Sequence, residues 1–489
     1  MTPGVFAGLA GGLVWAGLAV LVLAAGSLAA LWSWGRFARR ARGAPSTAIP
    51  AGTGAPLDLA IPDGPDAAAL IADPAEAYAL RLASAALAAR SIDVMTYIWS
   101  QDTSGRALAA TLIAAAGRGV RVRLLLDDVN IIGRDPLWLA LDRTEGIEVR
   151  LFNPVRNRRS SLRRGVEILL RALSYNRRMH GKLWLADGRL ALAGGRNLGD
   201  EYFGMAQRGR NFADLDLLLT GPVVARAAAE FDAFWNSDLA LPIAALWSGR
   251  LLRPRRRRRP IPPEAPLDHT SALQTALDRR RAAGRLVLLA DPPDKALGER
   301  RRRTWLPDHL SPILTGARHE LRIVSPYLVP GRQGLALLLG LARAGVWVRI
   351  LTNALAVSDS ATVHGAYRWY RGRLLAGGAT IHELCAPRAA GRGEMLHAKA
   401  ALVDGDLGFV GSFNFDQRSA WLNTELGVLF DDPALVAELA AWIDAQSAPD
   451  RAYAVDLPGW FPRWRRGQAR LPRRLLAWAV GHLPIHRLL

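Results

Sequence analysis

The chain opens on an unbroken apolar run. Residues 5–34 carry no charge and are rich in Leu, Ala, Val and Gly. About 20 apolar residues cross a bilayer, so this run predicts a membrane-spanning helix. Residues 44–65 are rich in Pro, Gly, Ala and Thr and read as a linker. From residue 66 on, short apolar stretches alternate with longer helical ones. Residues 91–99 alternate like a strand, 105–118 have helical spacing, and 120–126 form a second strand closed by Asp127 and Asp128. The same order returns as strand-like 321–327, helical 335–344 and strand-like 345–351. Repeated strand–helix–strand units predict an α/β protein of two similar halves, each with a mostly parallel, buried sheet. Packed together, the halves give a pseudo-twofold α/β/α/β/α sandwich.

The pattern divides the chain into an anchor with a basic flank (1–43), a linker (44–65), a first half (66–238), an Arg/Pro-rich connection (239–306), a second half (307–448) and an amphipathic tail (449–489). Trp32 and Trp34 end the apolar run where an interfacial belt belongs, and Arg36, Arg39, Arg40 and Arg42 follow at once. The positive-inside rule puts the body on the cytoplasmic side. A cleaved signal peptide competes with this reading, with a site near Ala25-Gly26-Ser27 or Leu28-Ala29-Ala30. Signal peptides carry their charge before the apolar core, and here it comes after. A retained single-pass anchor is therefore expected.

The connection holds Arg255 to Arg259 between Pro254 and Pro260, and later Arg300 to Arg303. Such runs are either solvated charge or a patch for anionic headgroups. They lack interleaved aromatic platforms, so nucleic acid is not an expected partner. In the tail, residues 471–480 suit a helix that lies in a membrane interface or docks on the core.

Composition sharpens this picture. The 489 residues carry a net charge of +20, which favours anionic partners such as a lipid surface. One cysteine, Cys385, rules out an intrachain disulfide and a cysteine metal site. The nine histidines form no HExxH, and no cofactor is expected. Among 63 basic residues only Lys182, Lys295 and Lys399 are lysine. An ammonium is a compact point charge, a guanidinium a broad fork, so a lysine in so arginine-rich a chain marks a place arginine does not fill.

Two of those lysines sit in a doubled motif. His180-Gly181-Lys182 is followed by Asp187 and then Gly194-Gly195-Arg196-Asn197. His397-Ala398-Lys399 is followed by Asp404 and then Gly411-Ser412-Phe413-Asn414. A single HxK pair means little. Two with matched Gly and Asn in matched halves predict one shared pocket. Residues two apart on a strand face one way, so each motif offers an imidazole and an ammonium. Lys182, Lys399, Asn197, Asn414 and Ser412 can hold phosphate oxygens, and Gly-rich turns can bring backbone amides to them. One imidazole can attack phosphorus while the other protonates the leaving oxygen. The residues leave the order of the two open. Each imidazole needs a carboxylate on its other nitrogen; Asp216 and Glu425 stand at corresponding distances. Asp187 and Asp404 belong to the motif and also begin Asp-Gly turns, so a catalytic and a hairpin role compete. His364 is either a pocket residue or a core histidine. Arg418 and Ser419 either bind substrate or cap a helix.

These motifs resemble the phospholipase D superfamily over about residues 66–448. Within it, Tyr97-Ile98-Trp99, Ser325-Pro326-Tyr327, the stretch from Gly195 to Phe203, that from Phe413 to Ser419, and Leu483-Pro484-Ile485 are similar to bacterial cardiolipin synthases of the C-type branch. The resemblance implies a metal-free phosphohistidine route. His180 would be the nucleophile and His397 the general acid and then base, with Lys182, Lys399, Asp187 and Asp404 completing the two catalytic sets. It implies phospholipid substrates, with phosphatidylglycerol as acceptor and phosphatidylethanolamine as a candidate donor, at a bacterial inner membrane. Gly181 stands where the family carries Asn, the connection is unusually Arg-rich, and the tail after Asp450 is short; these departures bear on donor preference. A hydrolase or nuclease of the same superfamily is the alternative. A non-catalytic scaffold would be expected to lose a His or Lys, and both sets are intact.

Overall fold

A computed structural model describes residues 3–207, 210–247, 270–298, 304–385, 394–455, 469 and 471–482, without side chains for 3–13 and 481–482. The two arginine runs, the tail from 456 to 468 and Leu483-Pro484-Ile485 lie outside the described residues.

Two sheets dominate. The first contains β1 (Ala67–Ile71), β2 (Ser91–Thr96), β3 (Arg121–Asp127), β4 (Ile147–Phe152), β5 (Leu183–Ala186), β6 (Leu190–Gly194) and β7 (Asp216–Thr220), in spatial order β1-β7-β6-β5-β2-β3-β4. The second contains β8 (Leu286–Ala290), β9 (Glu320–Val324), β10 (Trp347–Asn353), β11 (Thr380–Leu384), β12 (Lys399–Val403), β13 (Leu407–Gly411) and β14 (Leu426–Phe430), in spatial order β8-β14-β13-β12-β9-β10-β11. The two orders are the same, which is the internal repeat in three dimensions. Short strands at Arg281–Ala282, Ala240–Pro242 and Ala452–Ala454 extend the edges.

Two expectations are corrected. The sheets are mixed, not mostly parallel: only β2–β3–β4 and β9–β10–β11 run parallel. The hairpins β5–β6 and β12–β13 close through three-residue turns, and so short a link permits only antiparallel pairing. The second sheet also starts earlier than expected. β8 falls inside the stretch read as a connection and pairs with β14.

Six helices matter for the site: α1 (Pro3–Ala41), α2 (Ser161–Leu170), α3 (Pro222–Trp235), α4 (Ala361–Ala376), α5 (Pro433–Ser447) and α6 (Leu471–His482). Helices α3 and α5 form the middle layer. Phe231, Phe234 and Trp235 of α3 and Leu435, Leu439 and Ile443 of α5 share one core with Leu185 and Leu217 of the first sheet and Leu402 and Val428 of the second. Helix α5 starts sharply because Pro433 sits in its first turn and the Asp432 carboxylate accepts from Leu435 N. Separate cores cover the outer face of each sheet. The architecture is an α/β/α/β/α sandwich of two pseudo-twofold halves.

Helix α1 is long and apolar enough to cross a membrane over Val14–Ala41. Residues 14–25 are exposed all round. From Gly26 on, α1 lies against the body: Trp34 Nε1 donates to Pro154 O at 2.9 Å, and Ala38 is buried. At the other end α6 docks on α4, where Gly365 leaves room for the backbone of Ala477. Ala477 and Val480 are buried there, while Leu471, Leu475, Leu476 and Trp478 face outward.

Candidate active site

The two motifs arrive at the seam between the sheets. His180 and Lys182 immediately precede β5, and His397 and Lys399 precede or open β12. Each is fixed by backbone from the other half. His180 N and Gly181 N donate to Thr424 O at 2.9 and 3.1 Å; His397 N and Ala398 N donate to Ala213 O at 2.8 and 3.0 Å. Tight packing admits little at position 181, where a Cβ would lie 2.8 Å from Leu426 Cδ2.

The residue after each of those carbonyls is acidic. His180 Nδ1 donates to Glu425 Oε2 at 2.8 Å, and His397 Nδ1 donates to Asp214 Oδ2 at 2.5 Å. Each imidazole of one half is thus oriented by a carboxylate of the other. A carboxylate on Nδ1 fixes the tautomer and leaves the Nε2 lone pair for chemistry. Lys399 Nζ lies 3.0 Å from His397 Nδ1. Since Nδ1 carries the proton shared with Asp214, this is an approach of two donors. Each lysine instead donates to the carbonyl of its own histidine, Lys182 to His180 O and Lys399 to His397 O.

Electrostatics follow from burial. Desolvation lowers both imidazoles to about 4, against the opposing pull of Glu425 on His180 and aided by Lys399 at His397. Burial likewise brings Lys182 down to about 7 and Lys399 to about 8. Burial alone would raise Glu425, but His180, Lys182 and Ser412 outweigh it and hold the carboxyl down at about 2. Asp214 is held below its ordinary value despite burial, by His397, Lys399 and Arg196. The pocket thus pairs neutral imidazoles with ionised carboxylates, and its two cations are poised to be stabilised by an incoming phosphate.

Several residues do other work than expected. Asp216 does not meet a histidine: it pairs with Arg81 at 2.9 Å and approaches Arg196 Nε at 3.5 Å, all buried. Asp214, two residues earlier, takes the orienting position. Asp187 and Asp404 are turn residues at φ 52 and 54. Asp187 accepts from the backbone N–H groups of Ala89, Arg90 and Ser91, and Asp404 from those of Arg318, His319 and Glu320, at the far ends of β5 and β12 from the histidines. Ser412 Oγ donates to Glu425 Oε2 at 2.5 Å, so it secures the carboxylate. Gly195 occupies the matching place in the first half, and a Cβ there would fall 2.2 Å from Asp214 Oδ1. Gly195 N and Ser412 N donate to Leu215 O and Leu426 O, which commits these amides to the sheets and not to phosphate.

The asparagines are buried beside the motifs. Asn197 Nδ2 donates to Tyr202 Oη at 2.9 Å and its Oδ1 accepts from Ile98 N. Asn414 N meets Ser419 Oγ. Ser419 Oγ donates to Glu425 Oε1 at 2.7 Å, while Arg418 reaches across to Asn176. His364 packs on Tyr367 within α4, and burial lowers it to about 4. Residues not singled out for a role from sequence line the histidines: Tyr97 meets His180 edge-on at 5.0 Å, and Tyr202 and Phe212 each lie 5.2 Å from His397. The third lysine also finds its place. Lys295 pairs with Asp291 at 2.7 Å, both fully buried, and Asp291 accepts from Glu425 N at 2.9 Å.

Two oriented imidazoles and two ammoniums define a phosphodiester-transfer centre of the phospholipase D type. Comparison with known proteins agrees. A family described as "Cardiolipin synthase, PLD-like domain" matches residues 81–235 and 310–446. The chain is 38% identical to cardiolipin synthase C of Escherichia coli K12 over 79% of its own length and 85% of that protein. It is 30% identical to cardiolipin synthase A of Erwinia tasmaniensis over 79% of its length and 70% of that protein. The crystal structure of a phosphatidylserine synthase from Haemophilus influenzae matches 86% of this chain and 94% of its own with a TM-score of 0.57 at 13% identity, a likeness of fold. The chain belongs to the phospholipase D-like cardiolipin synthase family. It is a phosphatidyltransferase acting on phospholipids, with one N-terminal helix suited to anchor it in the membrane.

Proposed function

We propose that this enzyme makes cardiolipin by a covalent two-step transfer onto phosphatidylglycerol, with its body on the cytoplasmic face of the inner membrane. His180 Nε2 attacks the donor phosphorus, forming an N–P bond as the headgroup oxygen leaves with the Nε2 proton of His397. His397 takes up that proton as the anionic phosphate enters the pocket, and so acts as the imidazolium. His397 then takes the proton from the glycerol hydroxyl of phosphatidylglycerol, whose oxygen attacks phosphorus and releases His180. Phosphatidylethanolamine or a second phosphatidylglycerol supplies the phosphatidyl group. Lys182 and Lys399 balance charge on the non-bridging oxygens. Asn197 and Asn414 flank them.

The observation that carries this reading is the exchange of carboxylates: both imidazoles are held through Nδ1, which leaves one Nε2 to attack and the other to carry the transferred proton. The arginines at 36, 39, 40 and 42 support the cytoplasmic side. Lipid products of membranes holding the full chain, with phosphatidylglycerol supplied and phosphatidylethanolamine added or withheld, test it. Cardiolipin should appear with wild type and vanish in His180→Ala and His397→Ala. Phosphatidic acid in its place would make the enzyme a hydrolase. A phosphatidyl group trapped on position 180 in a His397→Ala chain would fix the order of the two histidines.

A further inference from the structure

Helix α2 is mounted inside out. A surface helix of a soluble protein buries its apolar face and exposes its polar one. Here the polar face is docked. Glu167 accepts from Arg156 N at 2.8 Å and Asn157 N at 2.9 Å. Arg171, at the C-terminal end, is 1% exposed in its side chain, donates to Pro154 O and Asn153 Oδ1, and stacks on Trp34 at 4.3 Å. The apolar face points away from the protein: Leu162, Val166, Leu169 and, in the turn Ala172–Tyr175 that follows, Leu173 are 78, 49, 64 and 87% exposed. Their spacing of four, three and four residues makes one stripe.

The stripe continues the membrane anchor. Leu170 lies against Gly26, the first half-buried residue of α1 from Val14 on, where an added Cβ would meet Leu170 Cδ2 at 3.2 Å. Residues 5–25 of α1 rise by about 31 Å, the thickness of a bilayer's hydrocarbon core. Gly26, and α2 with it, therefore falls at the membrane boundary. Arg163 is exposed on α2, and Arg36, Arg39 and Arg156 are exposed on the body's side of this boundary, where they suit anionic headgroups. Five residues past Tyr175 comes His180, and Asn176 between them is clasped by Arg418 of the other half.

We propose that α2 and the turn after it form a second membrane contact, lying in the interface of the leaflet into which α1 emerges and seating the pocket at headgroup height. This deepens the proposed lipid chemistry and rests on it for its purpose, though not for its test. Full-length Leu169→Cys, in a Cys385→Ser background, is labelled with an environment-sensitive nitrobenzoxadiazole probe. It is then reconstituted in vesicles of phosphatidylglycerol and phosphatidylethanolamine. The expected result is blue-shifted emission, quenched more by lipid spin-labelled near the headgroup than deep in the chain. Water-like emission that neither lipid quenches overturns the proposal. So does emission that shifts with protein density and ignores both quenchers, which would put a second copy on the stripe. The triple change Leu162→Gln, Leu169→Gln, Leu173→Gln should lower turnover of bilayer lipid about tenfold relative to turnover of short-chain lipid dispersed in water, since burial of the stripe is what holds the mouth at the surface. An unchanged ratio counts against the seat. Quenching in the labelled chain, beside a wild-type chain that makes no cardiolipin, would leave the seat standing and remove the proposed reaction.

Discussion

Asp214 and Asp216 stand two residues apart and are equally buried, at 1 and 0% exposure, yet they have different partners. Asp214 holds His397, and Asp216 neutralises Arg81 and Arg196. The alternating stretch Phe212 to Leu217 gives both the same face, and the histidine that decides between them lies 183 residues away. Position relative to Leu215 was the usable signal, because Asp214-Leu215 matches Glu425-Leu426. Asp214→Asn should leave a folded chain with turnover lowered on the order of a hundredfold or more, through the wrong tautomer at His397. Asp216→Asn should instead cost about 3–5 kcal/mol of stability by stranding two buried guanidiniums. Lipid turnover at equal folded concentration, beside thermal unfolding, separates them. The pH profile is also set at this scale. Both histidines have values lowered to about 4, so the nucleophile is neutral above that pH and lost by protonation below it. Lys182 and Lys399, at about 7 and 8, are charged below those values and lose charge above them. kcat/KM, which reports the free enzyme, should fall below about pH 4 as His180 is protonated and above about pH 4 as His397 loses the proton it must donate, more steeply from about pH 7 as Lys182 loses charge. An anionic phosphate in the pocket favours every cationic form, so the limbs of kcat should lie at higher pH than those of kcat/KM.

Elements were legible where the signal is local. The strand at 120–126 and the helix at 105–118 appear as Arg121–Asp127 and Thr103–Gly117, since periodicity and the capping Asp102 act within a few residues. Strand partners were not legible, because pairing is decided by segments far apart in the chain; that is why antiparallel neighbours were missed. The helix expected at 335–344 begins at Gly331, directly after Pro330, so the apolar stripe understated it. The Asp-Gly turns show what an element asks of one residue. At Asp187 the turn needs a positive φ, which Asn and Asp tolerate better than other side chains. Its carboxylate also satisfies three backbone donors at the start of β2. Asp187→Ala should therefore lower stability by about 1–3 kcal/mol, the cost of leaving buried donors unpaired. Turnover per folded molecule should stay near wild type. A chain that unfolds as wild type but has lost turnover would return Asp187 to the chemistry.

At the scale of the molecule the repeat explains the site. Two halves with the same strand order meet around α3 and α5, and each presents its HxK motif to a carboxylate that the other supplies. The doubled motif foretold a shared pocket; it did not foretell that the orienting groups cross over, since spacing within a half says nothing about contacts between halves. The crossing makes an energetic statement that can be measured. His180 and Glu425 are 245 residues apart in the chain and 2.8 Å apart in space. If Glu425 acts on the reaction through His180, a chain already carrying His180→Gln has nothing left for Glu425→Gln to remove from turnover. The double variant should then match His180→Gln alone, although Glu425→Gln by itself costs on the order of a hundredfold. The His397 and Asp214 pair should behave the same way. Combining changes from the two pairs, Glu425→Gln with Asp214→Asn, should instead multiply the losses until background is reached, because each acts on a different imidazole. Additive losses within the His180–Glu425 pair, measured as cardiolipin formed per folded enzyme, would mean that the carboxylate serves the fold of the second half and not the histidine of the first.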